Sequence, residues 1–183
     1  SPRVVTRTRV CQNRASVSVV PPSRSAPIDL EAAERQVFSE SGEDGVIEAI
    51  YGGLIPGQSV AEMLEHRFFF QNSTKSYHNC WVAESDGHVI GDLHAHPFDA
   101  MTGDPSDPIV PDERYAVVEP FDILDQAGEG TYHVNILAVY PDYQGHGAGS
   151  TLTELALENA RGLGLGAVSL VCFDENRPAM ALY

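Results

Sequence analysis

The sequence is short of positive charge, of cysteine and of long apolar runs, and each shortage excludes a class of protein. Lysine and arginine number 11 against 26 aspartates and glutamates, a formal net charge of −15 at pH 7. A surface of that sign repels a phosphate backbone, which argues against a nucleic-acid partner. No stretch of 18 apolar residues occurs, so no membrane-spanning helix is expected. The N-terminus has no apolar segment followed by small residues, so no signal peptide is expected. The three cysteines, Cys11, Cys80 and Cys172, are odd in number and widely spaced. That fits neither a disulfide framework nor a zinc pattern, and they read as free thiols in a reducing cytoplasm.

What is present is a chain of 183 residues, long enough for one domain with a core that needs no staple. Charge is unevenly placed. Arg3, Arg7, Arg9, Arg14 and Arg24 all precede the first acid, Asp29, so the start is cationic and the remainder is about 20 charges negative. The acidic remainder suits a cationic partner such as a polyamine, a lysine side chain or an aminosugar. It is equally what a well-solvated acidic surface looks like. Residues 1–28 read as a basic N-terminal tail, with residues 16–20 able to form a first strand before Pro21-Pro22 stops it. Residues 29–183 read as a single domain without internal repeats.

Within that domain the apolar periodicity changes twice. Asp29 can cap a helix over 30–39, and a second helix is expected over 44–51, ended by Gly52-Gly53. Ser59 followed by Glu62 is a capping-box pattern for a helix running to residue 70. Residues 79–84 and 88–94 read as two strands of a hairpin about Asp86-Gly87. The proline- and aspartate-rich stretch 97–114 reads as loop, followed by a short helix over 119–126. A strand over 131–139, an amphipathic helix over 150–161, an apolar strand over 167–173 and a helix from Arg177 complete the order. The helix over 150–161 places Leu152, Leu155, Ala156 and Asn159 on one face. Helices, a hairpin and then β-α-β-α make a mixed α/β domain with a crossover near its C-terminus.

The chemistry concentrates in Tyr132–Gly149, YHVNILAVYPDYQGHGAG, where a strand enters a loop with Gly145, Gly147 and Gly149 and a helix follows. Glycines let backbone approach a ligand, and a helix N-terminus offers unpaired N–H groups and partial positive charge. Together they suit a pyrophosphate. Taken alone, such a turn could also be a dinucleotide fingerprint or an ordinary tight turn.

Context narrows the choice. The run from Leu137 to Ser150, with Gln144, Gly147 and Gly149 at the Arg/Gln-x-x-Gly-x-Gly/Ala positions, resembles the acetyl-CoA motif of the GNAT superfamily. Downstream, Asn176 to Tyr183 resembles the family's second signature, Asn-x-x-Ala-x-x-Leu-Tyr, at a fitting distance. The resemblance implies a GNAT-like acyl-CoA N-acyltransferase fold. Its central sheet would be mostly antiparallel, with one splayed parallel strand pair. It also implies transfer of an acetyl group from acetyl-CoA to a primary amine of a small molecule or protein, by direct attack in a ternary complex. The N–H groups of Gly145, His146, Gly147, Ala148, Gly149 and Ser150 would cradle the pyrophosphate. Leu137, Ala138 and Val139 would pair edge-on with the pantetheine arm, and Asn176 would bond to that arm or cap the last helix. Tyr183 matches the general acid that protonates the departing thiolate. For the base, Glu119 comes first among Glu119, Asp122, Glu129 and His133. A nicotinamide-binding reading gives the Asn176 and Tyr183 pair no role.

Two departures from the family's pattern carry consequences. Gln144 and His146 stand where many relatives have arginine, so this loop holds less fixed charge and leans on backbone donors. His146 adds charge only when protonated, so CoA affinity is expected to weaken from pH 6 to 8. Relatives also continue past Tyr183 with further strands, and a chain ending there would lack the C-terminal strands and expose a sheet edge that a homodimer could cover. On this ground a non-catalytic acyl-CoA-binding or sensing module is the alternative reading. His94 and His96 lie on one side of a strand end, and Asp92 or Asp99 is near, but a third confident ligand is not evident and no metal is expected.

Overall fold

A computed structural model describes residues 3–4, 18–20, 44–60, 62–63, 73–101, 110–117, 128–172 and 176–183. Its strands are β1 (Arg3–Val4), β2 (Ser18–Val20), β3 (Cys80–Ser85), β4 (His88–Pro97), β5 (Tyr132–Val139) and β6 (Val168–Cys172). Its α-helices are α1 (Asp44–Tyr51), α2 (Ala148–Gly162) and α3 (Arg177–Leu182). The strands form one sheet in the order β1-β6-β5-β4-β3-β2. Every pairing is antiparallel except β5 with β6, the pair joined through α2. The mostly antiparallel sheet with one parallel pair that the sequence implies is therefore present.

Local chemistry explains most of the boundaries. The β3–β4 hairpin turns on Asp86 (φ 51°) and Gly87 (φ 77°). Two positive φ values in a two-residue loop match the twist of the flanking strands, and Asp-Gly tolerates both. Ser59 and Glu62 close the expected capping box. The Ser59 N–H donates to Glu62 Oε2 at 2.7 Å, and the Glu62 N–H donates to Ser59 Oγ at 3.3 Å. The Ser59 N–H, and then the Ser59 hydroxyl donating to the same oxygen at 2.8 Å, hold the exposed Glu62 carboxyl below its usual range. The C-terminal carbonyls of α1 are met by Arg114, whose Nη1 donates to Ile50 O at 3.1 Å and Gly52 O at 2.7 Å.

The main core lies between α2 and one face of the sheet. Leu152, Ala156 and Ala160, four residues apart along α2, pack with Ala83, Ile90, Leu93, Ala95, Val134 and Leu170. A smaller cluster joins Ile50 and Tyr51 of α1 to Met63 and Val110.

The structure departs from the sequence reading in three places. α2 begins at Ala148, two residues earlier than expected, because Gly147 already takes the capping position at φ 98°. β4 runs to Pro97 instead of stopping near His94, since its last residues pair with Tyr132 and His133 of β5. Arg3–Val4, read as part of a tail, pairs with Val171 and Cys172 and covers part of the β6 edge expected to be bare. The helices expected over 30–39 and 119–126 lie outside the described residues, and so do residues 64–70 of the helix expected after Ser59. Cys80 and Cys172 are buried free thiols, as their positions in apolar strands imply. No described helix is long and apolar enough to cross a membrane.

Candidate active site

The parallel pair comes apart halfway along. β5 and β6 are in register at Tyr132 with Val168, His133 with Ser169 and Val134 with Leu170, and the pairing ends there. β5 continues for five residues, with Ile136 to Val139 held by β4 on the other side. Among the described residues, the edge of Leu137, Ala138 and Val139 that faces β6 has no strand partner. Such an edge is a template for any extended group with amide donors and acceptors.

A bulge sits where the strands diverge. His94 pairs with Ile136 and Ala95 with Val134, leaving Asn135 as the extra residue on β5. Its side-chain amide meets His94 Nδ1 at 3.2 Å, while His94 Nε2 lies 3.0 Å from Thr74 O. The carbonyl accepts from Nε2–H and the amide donates to Nδ1, so both imidazole nitrogens are engaged and the ring is neutral.

β5 leads through Pro141–Tyr143 into the glycine turn. Gly145 (φ 75°) and Gly147 (φ 98°) both lie in the left-handed region, and this is what demands glycine there. Gly149 has a different reason. A Cβ on it would sit 3.1 Å from Leu182 Cδ2, so its smallness lets α3 lie against α2. At the start of α2 the Thr151 N–H donates to Gly147 O at 3.0 Å, one turn back. Gln144 folds its amide onto Val139 O at 3.0 Å and ties the turn to the end of β5. His146 donates its Nδ1–H to Gln144 O at 2.8 Å and is otherwise exposed.

On the far side of the gap, Asn176 Oδ1 accepts from Ala179 N–H at 3.2 Å and caps α3. Tyr183 follows α3 and packs against the main core. Burial, and then Cys172 at the end of β6, push its phenol well above the usual range, so it holds its proton. The β5 edge leads into the glycine turn and the start of α2, and Leu182, the neighbour of Tyr183, lies against Gly149 of that helix.

The family model of the acetyltransferase (GNAT) family matches residues 47–183, three quarters of the chain. The chain belongs to the GNAT acetyltransferase family. Its 56-residue match to mycothiol acetyltransferase of Thermobifida fusca (strain YX) is 45% identical, covering 31% of this chain and 17% of that protein. A 50-residue match to mycothiol acetyltransferase of Catenulispora acidiphila is 44% identical, covering 27% and 16%. The chain thus matches less than a fifth of the length of these curated relatives. Among solved structures, an N-acetyltransferase from Staphylococcus aureus Mu50 superposes at TM-score 0.59 and 15% identity, covering 91% of this chain and 87% of that one. A structure described as an acetyltransferase gives TM-score 0.58 and 17% identity, covering 91% and 86%. These likenesses establish the GNAT fold.

The candidate bases fall differently. Glu119 and Asp122 lie outside the described residues. Glu129 is exposed in the turn before β5. His133 is buried, and its Nδ1 lies 3.0 Å from Ser169 Oγ. Ser169 Oγ is 2.6 Å from Thr131 Oγ1, whose own proton goes to Gly128 O at 2.6 Å. That order leaves Ser169 donating to Thr131 and His133 Nδ1–H donating to Ser169. Burial, and then the charge of His96, lowers His94 and His133 to about 4 each. His94, His96 and His133 form a buried row with ring centroids 5.7 and 6.0 Å apart. No group of three or more His, Cys, Asp or Glu among the described residues could hold a metal ion.

Sequence reasoning took Asp92 only as a candidate companion of His94 and His96 at a metal site and gave it no part in acetyl transfer. The residue is partly exposed, but its Oδ1 is closed off from solvent and meets no hydrogen-bond partner among the described residues. Burial raises its carboxyl to about 7. The available signal was an acid in an apolar strand, V-I-G-D-L, opposite the motif strand.

Proposed function

We propose that this chain transfers an acetyl group from acetyl-CoA to a primary amine. The observation that carries this reading is the unpaired edge of Leu137, Ala138 and Val139, which leads directly into the glycine turn at the start of α2. The residues fit the co-substrate on three counts. The strand edge offers peptide groups to the amides of a pantetheine arm. The turn at Gly145, His146 and Gly147 and the first amides of α2, from Ala148, Gly149 and Ser150, offer donors to a pyrophosphate. Tyr183 is a phenol that burial keeps protonated, one residue past Leu182, which lies against Gly149 of α2.

Acetyl-CoA supplies an activated acyl carbon and a sulfur leaving group. The chain's own residues position, polarise and move protons. Gln144 holds the turn closed on β5 and contributes through its backbone, since its side chain is committed to Val139 O. Asn176 sets the start of α3, and through it the place of Tyr183 seven residues on. An N–H of the β5 edge can polarise a carbonyl lying along it, an oxyanion-type contact in a site shielded from water. Tyr183 gives its proton to sulfur as the carbon–sulfur bond breaks. The amine attacks directly, and no residue is acylated.

Calorimetric titration with acetyl-CoA, with NADH as the control, tests the reading. Micromolar binding of acetyl-CoA and none of NADH is expected. NADH binding, or turnover unaffected by Tyr183→Phe, would count against it.

A further inference from the structure

α2 closes one face of the sheet, where Leu152, Ala156 and Ala160 fill the space against Leu93, Ala95 and Val134. A second substrate meeting a group held in the β5–β6 gap has to approach from the other face. Strand alternation puts Val82 of β3, Asp92 and His94 of β4, and Ile136 and Ala138 of β5 on that face. Asp92 pairs with Val82 on one side and Ala138 on the other, so its cross-strand neighbours are apolar. Ala138 belongs to the strand that borders the gap, so Asp92 stands one strand in from it.

The Oδ1 of Asp92 is buried without a donor. A carboxylate in that state is costly to the fold, and a cation brought by a ligand offsets the cost. Among the described residues, the other titratable groups on this face do not compete. Cys80 and Glu84 of β3 carry no positive charge. Lys75, in the turn before β3, acts on His94. His94 has both nitrogens engaged, and His133 commits Nδ1 to Ser169. His96 donates its Nδ1–H to Pro97 O at 3.0 Å.

We propose that the Asp92 carboxylate receives the ammonium of a cationic primary-amine acceptor and takes its proton, the role that the sequence offers first to Glu119. The proposal rests on the acetyl-transfer reading above. Asp92 takes one proton from the ammonium and becomes a neutral acid. The freed nitrogen lone pair forms the new bond to the acyl carbon while the carbon–sulfur bond breaks. The sulfur leaves with that electron pair and receives the proton of Tyr183. The second proton lost from nitrogen restores the phenol, and Asp92 returns its own proton to water.

Difference infrared spectroscopy of the full chain, wild type minus Asp92→Asn, isolates the Asp92 carboxyl band. The probes are n-butylamine, 1,4-diaminobutane, glucosamine and a lysine peptide. At pH 6 at least one of them should convert the protonated band to the carboxylate form. The same change can be read in 13C-aspartate-labelled wild type, whether or not the variant folds. For that amine, Asp92→Asn should lower kcat/KM by about 100- to 10,000-fold and leave acetyl-CoA affinity unchanged. It should also abolish the acidic limb of the wild-type profile. A band that no probe moves, or a variant that keeps both turnover and limb, overturns the proposal. If the wild type fails to bind acetyl-CoA, the acetyl-transfer reading falls, and the infrared response still decides whether Asp92 receives an amine.

Discussion

Gly149 and Leu182 meet across the α2–α3 contact so closely that any Cβ at 149 would lie 3.1 Å from Leu182 Cδ2. Leu182 directly precedes Tyr183, so this contact sets where the phenol sits. In Gly149→Ala the leucine tip has to give by a few tenths of an ångström. The helix itself gains, because alanine favours helix over glycine. The expected result is a folded protein with its melting temperature nearly unchanged and kcat reduced about tenfold, since small displacements of a reacting group are costly. A fall in melting temperature matching the fall in kcat would mean that the contact is structural only.

Tyr183→Phe removes a proton that burial holds firmly in place. Turnover should drop by about 100-fold or more, with acetyl-CoA affinity retained. Because the phenol lies above its usual range, the wild-type rate should show no alkaline limb attributable to it below pH 10. A variant as active as wild type would take the acid role from this residue.

The pH dependence of stability has two opposed parts. His94 and His133 are lowered to about 4 in the folded protein, so the unfolded chain takes up protons first as pH falls. Their contribution is complete above pH 6.5 and is lost between about 6.5 and 4. Asp92, raised to about 7, does the reverse. The folded protein binds its proton first, so its penalty is full above 7 and fades as pH drops towards 4. Thermal melts of Asp92→Asn should therefore lie above wild type at pH 8 and converge with it near pH 4. Between pH 6.5 and 4 the variant should lose melting temperature more steeply than wild type, on the order of 10 °C. Parallel curves for the two proteins would refute the burial argument for Asp92.

Arg114→Ala should destabilise the α1 region without touching the acyl site. One guanidinium nitrogen serves the carbonyls of Ile50 and Gly52, and truncation leaves them short of a donor. About 1–3 kcal/mol is the expected loss, read by urea unfolding. Acetyl-CoA affinity should not change, and a weakened affinity would show that α1 supports the site.

Much of this architecture could be read from the chain because the deciding features are local. Asp86-Gly87 announces a two-residue hairpin, Ser59 and Glu62 announce a helix start, and Leu152 and Ala156 announce the face of α2. The parallel pairing of β5 and β6 follows from a helix joining two strands. Features that depend on distant partners stayed hidden. Nothing in Arg3–Val4 says that it will find the edge of β6, and nothing in Asn135 marks it as the bulged residue. Gly149 reads as a ligand-contact glycine, and the sequence gives no sign of the further constraint from Leu182, 33 positions away. Asp92 was legible only as a neighbour of two histidines. Its solitude is a property of the folded sheet, where Val82 and Ala138 offer it nothing.

The parting of β5 from β6 also has a cost in solution behaviour. Proteins normally protect their outer strands against stray pairing, but here an open strand lies in the interior of the sheet. Any extended peptide able to enter the gap competes for the same amides. An added co-substrate should therefore act as a chaperone of sorts, raising the melting temperature by mass action and suppressing self-association during concentration and storage.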